Sequence, residues 1–247
     1  MTSIGSTEAE RIWIALDFAS EEEAERFLQR WPQEVRPAVK VGMQLFYAAG
    51  PRWVAQLVQA GYPVFLDLKL HDIPHTVARA TESLAHLGVR CTTLHATGGR
   101  AMMEAAREAV DRASSERPMA LLAVTQLTST DRRRMNSEIG IPGSVRDSVA
   151  KLAQLAIQAR MDGVVCSGEE AGWIKTEVTT ELLTVVPGIR LPGDDPGDQR
   201  RVMTPEAAWR DGADQLVVGR SITQASDPVA VYQRIQEQWI QLQKEER

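Results

Sequence analysis

The stretch Asp67-Leu68-Lys69-Leu70-His71-Asp72-Ile73-Pro74 follows the apolar run 63–66, which is typical of a buried strand. On a strand, residues two apart share a face, so Asp67 and Lys69 project to one side and the neighbouring leucines to the other. This pattern predicts a barrel strand whose leucines pack beneath outer helices and whose charges point into the barrel mouth. Asp72 lies just past the strand end, and Pro74 suits the first turn of a following helix.

Two opposite charges that face inward can have either of two explanations. They can form a structural ion pair at the barrel mouth, or they can belong to a functional site, where perturbed ionisable groups cluster. Lys40 favours the second explanation because it lies in the middle of another predicted strand, residues 38–42. A closed barrel has no edge at which such a lysine could reach solvent.

Apolar runs and helical patterns alternate along the whole chain. The predicted strands are residues 11–18, 38–42, 63–70, 91–96, 119–127, 163–167, 182–186 and 215–218. Ser20 is a good N-cap for the first helix, further helices are predicted over 44–60, 74–88, 100–113, 144–160 and 228–244, and one more begins near Thr204. The polar residues 131–143 are predicted to form a loop. Eight such units predict a (β/α)8 TIM barrel, one α/β domain over residues 1–247.

An open doubly wound sheet is the alternative fold. It would call for a glycine-rich turn after the first strand, and Asp17-Phe18-Ala19-Ser20 is not one.

The composition of the chain argues against several classes of protein. The 247 residues carry a net charge of −5, so the chain lacks the basic footprint of a nucleic-acid-binding protein. No apolar run is long enough to span a bilayer, and the polar residues 1–10 differ from a signal peptide. The two cysteines, Cys91 and Cys166, fall in predicted strands and suit core residues of a cytoplasmic protein better than a disulfide or a metal site. The four histidines show no metal-ligand spacing.

Active sites of such barrels lie at the carboxyl ends of the strands. Polar side chains occur at nearly every predicted strand end, and together they predict one polar site: Asp17, Lys40, Asp67, Lys69, Asp72, Thr128, Arg190 and Arg220.

The last two strands are followed by sequences that suit phosphate. Pro187-Gly188-Ile189-Arg190 and Gly219-Arg220-Ser221 combine glycine, which lets backbone N–H groups approach an anion, with arginine, which binds phosphate oxygens bidentately. Barrels often bind phosphate at this corner. The intervening residues 191–200 are rich in glycine and proline, and their position favours a mobile lid over a passive surface loop.

Taken together, these residues resemble the bacterial type of orotidine 5′-phosphate decarboxylase over essentially the whole chain. The central stretch 67–74 matches the signature of that family. Support comes from Ala15-Leu16-Asp17, Val39-Lys40-Val41-Gly42, Val124-Thr125-Gln126-Leu127-Thr128-Ser129, Gly197-Asp198-Gln199 and the two phosphate sequences. One departure is His75, where the family usually has asparagine.

The resemblance implies a reaction: orotidine 5′-phosphate loses CO2 to give uridine 5′-phosphate (UMP), the last step of de novo UMP synthesis, with no metal or organic cofactor. It implies that Lys69 protonates C6 beside Asp67, and that Lys40 and Asp17 contact the ribose. It also implies that Asp72 reaches the active site of the other subunit of a homodimer. The remaining substrate-binding residues that it implies are Thr76, Thr128, Arg190, Gln199, Gly219 and Arg220.

Two alternatives remain open from the sequence. One is a sugar-phosphate decarboxylase or aldolase of the same superfamily, whose Asp-x-Lys-x-x-Asp motif usually works with magnesium. The sequences Leu70-His71-Asp72-Ile73-Pro74 and Gln126-Leu127-Thr128-Ser129 argue against it. The other is a non-catalytic nucleotide-binding barrel, which no residue specifically favours.

Overall fold

The computed structural model describes residues 10–113, 117–194 and 202–245. Its strands run parallel and close into a barrel in chain order, with the last strand hydrogen-bonded to the first. They are β1 (Ile12–Ala15), β2 (Val39–Gly42), β3 (Val64–Leu70), β4 (Cys91–His95), β5 (Ala120–Val124), β6 (Gly163–Val165), β7 (Leu183–Val186) and β8 (Gln215–Val218). The predicted (β/α)8 barrel is confirmed, and closure excludes the open sheet.

Helices connect the strands and cover the outside of the barrel. The α-helices in the described residues are α1 (Glu21–Leu28), α2 (Met43–Gln59), α3 (Pro74–His86), α4 (Arg100–Arg112), α5 (Arg132–Ser137), α6 (Val145–Gln158), α7 (Gly168–Trp173), α8 (Pro205–Arg210), α9 (Arg220–Thr223) and α10 (Pro228–Glu245). A short 3-10 helix spans Ala96–Gly98, and a π-helix spans Ile174–Val178. None of these helices is long and apolar enough to cross a membrane. One domain over residues 1–247 stays a prediction.

Side chains on each strand alternate between the barrel interior and the helix layer. Ile12 and Ile14 pack in the outer core, whereas Trp13 and Phe65 belong to an inner cluster. The Trp13 and Phe65 rings meet edge to face with centroids 5.5 Å apart. This inner cluster fills the barrel below its mouth, and a ligand therefore has room at the carboxyl ends of the strands.

Several predicted helix signals are confirmed by their contacts. The Ser20 side chain caps α1 by accepting a hydrogen bond from the Glu23 N–H at 3.4 Å, and Ser144 caps α6 through the Asp147 N–H at 3.0 Å. Pro74 lies in the first turn of α3. These local signals predicted where three of the connecting helices begin.

Two predicted connections differ from the structure. Residues 131–143 were predicted to be a loop, but α5 lies within them, capped by Asp131 and anchored by the buried Met135. The predicted helix 44–60 is broken at Gly50, whose φ of 77° is left-handed, immediately before Pro51. Proline disfavours helical backbone at the residue before it, and glycine accepts the alternative conformation easily.

The helix α7 and the π-helix after it were not predicted. Their signal was present in the sequence, because Ser167 and Glu170 form a capping box in which each side chain bonds the other's backbone. Cys91 and Cys166 are both buried, as the sequence predicted. Cys166 lies just beyond β6 rather than inside it.

Candidate active site

A cavity of about 600 Å³ opens at the carboxyl ends of the strands, a volume within the usual range of small-molecule sites. It gathers charged residues that lie on five different strands or just after them, namely Asp17, Lys40, Asp67, Lys69, Arg190 and Arg220. Sequence positions more than 200 residues apart thus meet at one mouth. Gly219 and Thr128 also line this cavity.

Four of the charged side chains form a continuous chain of alternating sign. Lys40 Nζ lies 3.3 Å from Asp17 Oδ1 and 3.7 Å from Asp67 Oδ2, and Lys69 Nζ lies 2.8 Å from Asp67 Oδ1. The side chains of Lys40 and Asp67 are only 10% and 15% exposed. Their charges are thus largely removed from water, and each has an opposite charge beside it.

Asp67 lies at the centre of this chain. Burial raises the pKa of Asp67, but the positive charges of Lys40 and Lys69 and the hydrogen bonds from Lys69 and Thr93 outweigh burial. The pKa of Asp67 therefore lies below its ordinary value of 3.8, and the carboxylate is ionised at neutral pH.

The strand that carries Asp67 and Lys69 is irregular. It pairs with β4 at Leu66–Thr92 and again at Leu70–Leu94, so β3 advances four residues where β4 advances two. Within this bulge Lys69 has a φ of 52°, a left-handed conformation that is rare for residues other than glycine. Such a conformation costs about 1–3 kcal/mol and is concentrated at functional sites. The expected regular strand is therefore wrong at Lys69.

The expected directions of the side chains on β3 are nevertheless found. Asp67 and Lys69 both line the cavity, and Leu68 and Leu70 pack against the outer core. A bulge re-aims a side chain without ending the strand. Here it leaves the Lys69 ammonium in hydrogen-bonding contact with the Asp67 carboxylate.

Apolar side chains form another part of the cavity wall. Phe65, Val124, Val165 and Val217 make up this apolar wall, each from the inner face of a different strand. A flat uncharged ring would bury its faces against such a wall, while its polar edge would meet the charged side chains.

The structure describes only part of the predicted phosphate corner, the residues that follow β7 and β8. Arg190 is buried and donates a hydrogen bond to the Ile189 carbonyl at 2.8 Å, whereas Arg220 is exposed at the start of α9. Gly188, with a φ of 78°, makes the turn that leads from β7 to Arg190. Gln199 and most of the expected lid lie outside the described residues.

Two predicted site residues lie away from this cavity. Asp72 and Thr76 are exposed, and neither is part of the cavity wall in the described residues. Asp72 accepts a hydrogen bond from the N–H of Ile73, whose own side chain is 65% exposed. The structure therefore does not bring Asp72 together with the lysines of its own chain.

Sequence reasoning missed several residues at the site, among them Phe18, Gln126 and Thr93. Phe18 and Gln126 line the cavity, and Gln126 donates a hydrogen bond to Ser148 at 2.9 Å. Thr93 on β4 binds both the Asp67 carboxylate and the Lys69 backbone. The alternation of β4 could have placed Thr93 on the inner face, but its partners on β3 could not be inferred without the register.

The charged chain mixes lysines with carboxylates, so it does not resemble a metal-ligand set. In the described ranges no group of three or more His, Cys, Asp or Glu side chains is placed to hold a metal ion. A metal requirement is a question for an activity assay with a chelator.

The family model and two similar proteins carry the name of one decarboxylase. Residues 10–235 match the family model described as the orotidine 5′-phosphate decarboxylase / HUMPS family. A protein of Oenococcus oeni named orotidine 5′-phosphate decarboxylase is 50% identical over 92% of this chain and 98% of its own. One of the same name from Streptococcus pneumoniae is 48% identical over 92% and 96%.

Solved structures agree in fold. The crystal structure of orotidine 5′-phosphate decarboxylase from Lactobacillus acidophilus superposes with a TM-score of 0.83 at 37% identity, covering 93% of this chain and 98% of that one. An uncharacterized conserved protein from Geobacillus kaustophilus gives a TM-score of 0.82 at 43% identity, covering 92% and 99%.

Proposed function

The chain belongs to the orotidine 5′-phosphate decarboxylase / HUMPS family, and we propose that it converts orotidine 5′-phosphate to UMP and CO2 with Lys69 as the proton donor. This is the last step of de novo UMP synthesis. The observation that carries the proposal is the contact between the Lys69 ammonium and the Asp67 carboxylate in a largely buried part of the cavity. The relatives named for this activity support the reaction.

The proposed chemistry centres on the bond between C6 of the pyrimidine and its carboxylate. When that bond breaks, CO2 leaves and the electron pair remains on C6. A proton then moves from the Lys69 ammonium to C6, which gives UMP and a neutral amine that regains a proton from solvent. A fixed ammonium beside the developing charge stabilises the transition state and is already placed to donate.

Asp67 has two functions in this proposal. It holds the Lys69 ammonium through the 2.8 Å contact. In the proposed complex its ionised oxygen lies beside the substrate carboxylate that departs as CO2. Because the pKa of Asp67 is lowered, the carboxylate stays charged at neutral pH. Binding energy from distant parts of the substrate would then hold two like charges close together until CO2 leaves.

The remaining residues are proposed to contact three parts of the substrate: the base, the ribose and the phosphate. The base faces the apolar wall and Thr128, and the ribose faces Lys40 and Asp17, which are joined at 3.3 Å. The phosphate is held by Gly219 and Arg220 with help from Arg190, and by Gln199. Arginine suits phosphate because its planar fork matches two oxygens at once.

We further propose a homodimer in which Asp72 and Thr76 serve the partner's site. Their exposure supports this, since neither lines the cavity of its own chain. The partner's Asp72 would join Lys40, Asp67 and Lys69 as a second carboxylate beside the two lysines. A cytoplasmic location also stays a prediction, supported by two buried cysteines that form no disulfide with each other in the described residues.

The decisive experiment follows the absorbance of orotidine 5′-phosphate with chelator present. Turnover by wild type under these conditions supports a cofactor-free decarboxylase. Activity that appears only with added magnesium, on a sugar phosphate, would favour the alternative of the same superfamily. Tight UMP binding without any turnover would indicate a non-catalytic barrel instead.

A further inference from the structure

Thr93 lies at the junction of the two strands that form the charged chain. It is fully buried on β4. Its Oγ1 donates a hydrogen bond to Asp67 Oδ1 at 2.8 Å and accepts one from the Lys69 backbone N–H at 2.9 Å. A single hydroxyl thus contacts both residues proposed to act on the substrate.

These contacts complete a closed ring. The Lys69 N–H binds the Thr93 hydroxyl, the hydroxyl binds Asp67 Oδ1, and the same oxygen accepts from Lys69 Nζ at 2.8 Å. The hydroxyl therefore links the backbone of the lysine to the carboxylate that holds its ammonium. A hydroxyl can do this because it is a donor and an acceptor at once.

The bulge in β3 explains why such a link is needed. The pairing with β4 is interrupted between Leu66 and Leu70, where Lys69 adopts its left-handed φ. A strained backbone of this kind persists only when surrounding contacts hold it. The Thr93 hydroxyl provides such a contact, and it satisfies a backbone N–H that the shifted register separates from the ladder.

We infer that Thr93 is a positioning residue that sets the Lys69 ammonium and the Asp67 carboxylate for decarboxylation. This inference rests on the proposed function. It adds Thr93, which is not among the residues proposed to contact the substrate. Without the hydroxyl, the Lys69 N–H loses its partner and Asp67 loses a donor, so the ammonium is no longer held at one place. A small displacement of a reacting group is enough to slow a reaction strongly.

The neighbouring Thr92 provides a matched control. It is also fully buried on β4, but its hydroxyl donates to the Leu66 carbonyl at 2.8 Å, away from the charged residues. The substitutions Thr92→Val and Thr93→Val remove the same group from adjacent positions of one strand. A general loss of packing or stability would affect both variants alike.

The expected result separates kcat from KM. Thr93→Val should lower kcat by about tenfold or more while KM changes by less than about threefold, because uniform substrate binding is retained. Thr92→Val should stay within about threefold of wild type in both constants. Thr93→Ser, which keeps the hydroxyl, should recover most of the loss, whereas Thr93→Ala should not.

The pH profile supplies a second readout. The hydrogen bond from Thr93 is among the contacts that lower the pKa of Asp67, so its loss should raise that pKa. The acid limb of kcat/KM should then move to higher pH in Thr93→Val and stay in place in Thr92→Val.

The possible outcomes separate a failure of the Thr93 inference from a failure of the proposed decarboxylase function. If wild type turns over orotidine 5′-phosphate and Thr93→Val behaves like Thr92→Val, or Thr93→Ser is no better than Thr93→Ala, the positioning role is overturned and the function stands. If wild type leaves the substrate unchanged, the function itself fails and this inference falls with it.

Discussion

Lys40 Nζ lies 3.7 Å from Asp67 Oδ2, which joins a lysine in the middle of β2 to a carboxylate in the middle of β3. The two strands are hydrogen-bonded neighbours, with Lys40 opposite Phe65 and Gly42 opposite Asp67. A buried pair of this kind is costly unless each charge has further partners. Lys40 has Asp17 and Asp67 has Lys69, so the pair belongs to a larger preorganised array.

The first prediction concerns Lys69. The variant Lys69→Ala should lose turnover by far more than tenfold yet remain folded and bind UMP, because the change removes the proposed acid and leaves the phosphate corner intact. Turnover and UMP affinity are measured on the same preparation. Activity within about tenfold of wild type, equivalent to about 1.4 kcal/mol of barrier, would disprove the role of Lys69 as proton donor.

The second prediction concerns the phosphate corner. Arg220→Ala should weaken kcat/KM for orotidine 5′-phosphate by about ten- to a hundredfold, since a hydrogen bond to a charged group contributes about 1.5–3 kcal/mol. The phosphate-free nucleoside is expected to be a poor substrate and should lose little further. An equal loss for both substrates would show that Arg220 is structural and that the phosphate binds elsewhere.

The third prediction follows from the lowered pKa of Asp67. A carboxylate whose folded-state pKa is depressed stabilises the fold above its unfolded pKa, and this contribution is lost as pH falls through the lower folded value. The free energy of unfolding that Asp67→Asn loses relative to wild type should therefore be larger at neutral pH than in acid below 3.8, the ordinary pKa of aspartate.

Two measurements check this expectation. Urea unfolding of wild type and Asp67→Asn across the pH range gives the difference in their free energies of unfolding. The contributions of the other carboxylates, which both proteins share, cancel in this difference. Carbon-13 NMR of labelled aspartate side chains, with Asp67→Asn identifying the resonance, gives the pKa directly. A constant stability difference together with an unshifted resonance would show that Lys40 and Lys69 do not outweigh burial.

Much of the barrel could be predicted because its signals are local. Ser20 and Ser144 act on the helix that follows them, and the placement of Asp67 and Lys69 on one face needs only strand periodicity. The left-handed Lys69 could not be predicted in this way, because it arises from the register between β3 and β4. α5 was missed because it buries little besides Met135 and its sequence is otherwise polar.

The final prediction tests whether Asp72 serves the partner subunit. Its exposure past the end of β3 would let the side chain reach a neighbouring barrel, and a twofold dimer makes that exchange reciprocal. Lys69→Ala and Asp72→Ala should each be nearly inactive alone. In a mixed dimer one site lacks both groups, whereas the other combines Lys69 of one chain with Asp72 of the other.

Mixing the two inactive proteins under conditions of subunit exchange should therefore restore activity. Random pairing at equal concentrations makes about half the dimers mixed, each with one complete site, so recovery should approach roughly a quarter of wild type. Lys69→Ala mixed with Asp67→Ala is the matched control, because these two side chains meet within one chain at 2.8 Å and no mixed dimer can have a complete site. If exchange is demonstrated and both mixtures stay inactive, Asp72 serves its own chain and the shared site is wrong.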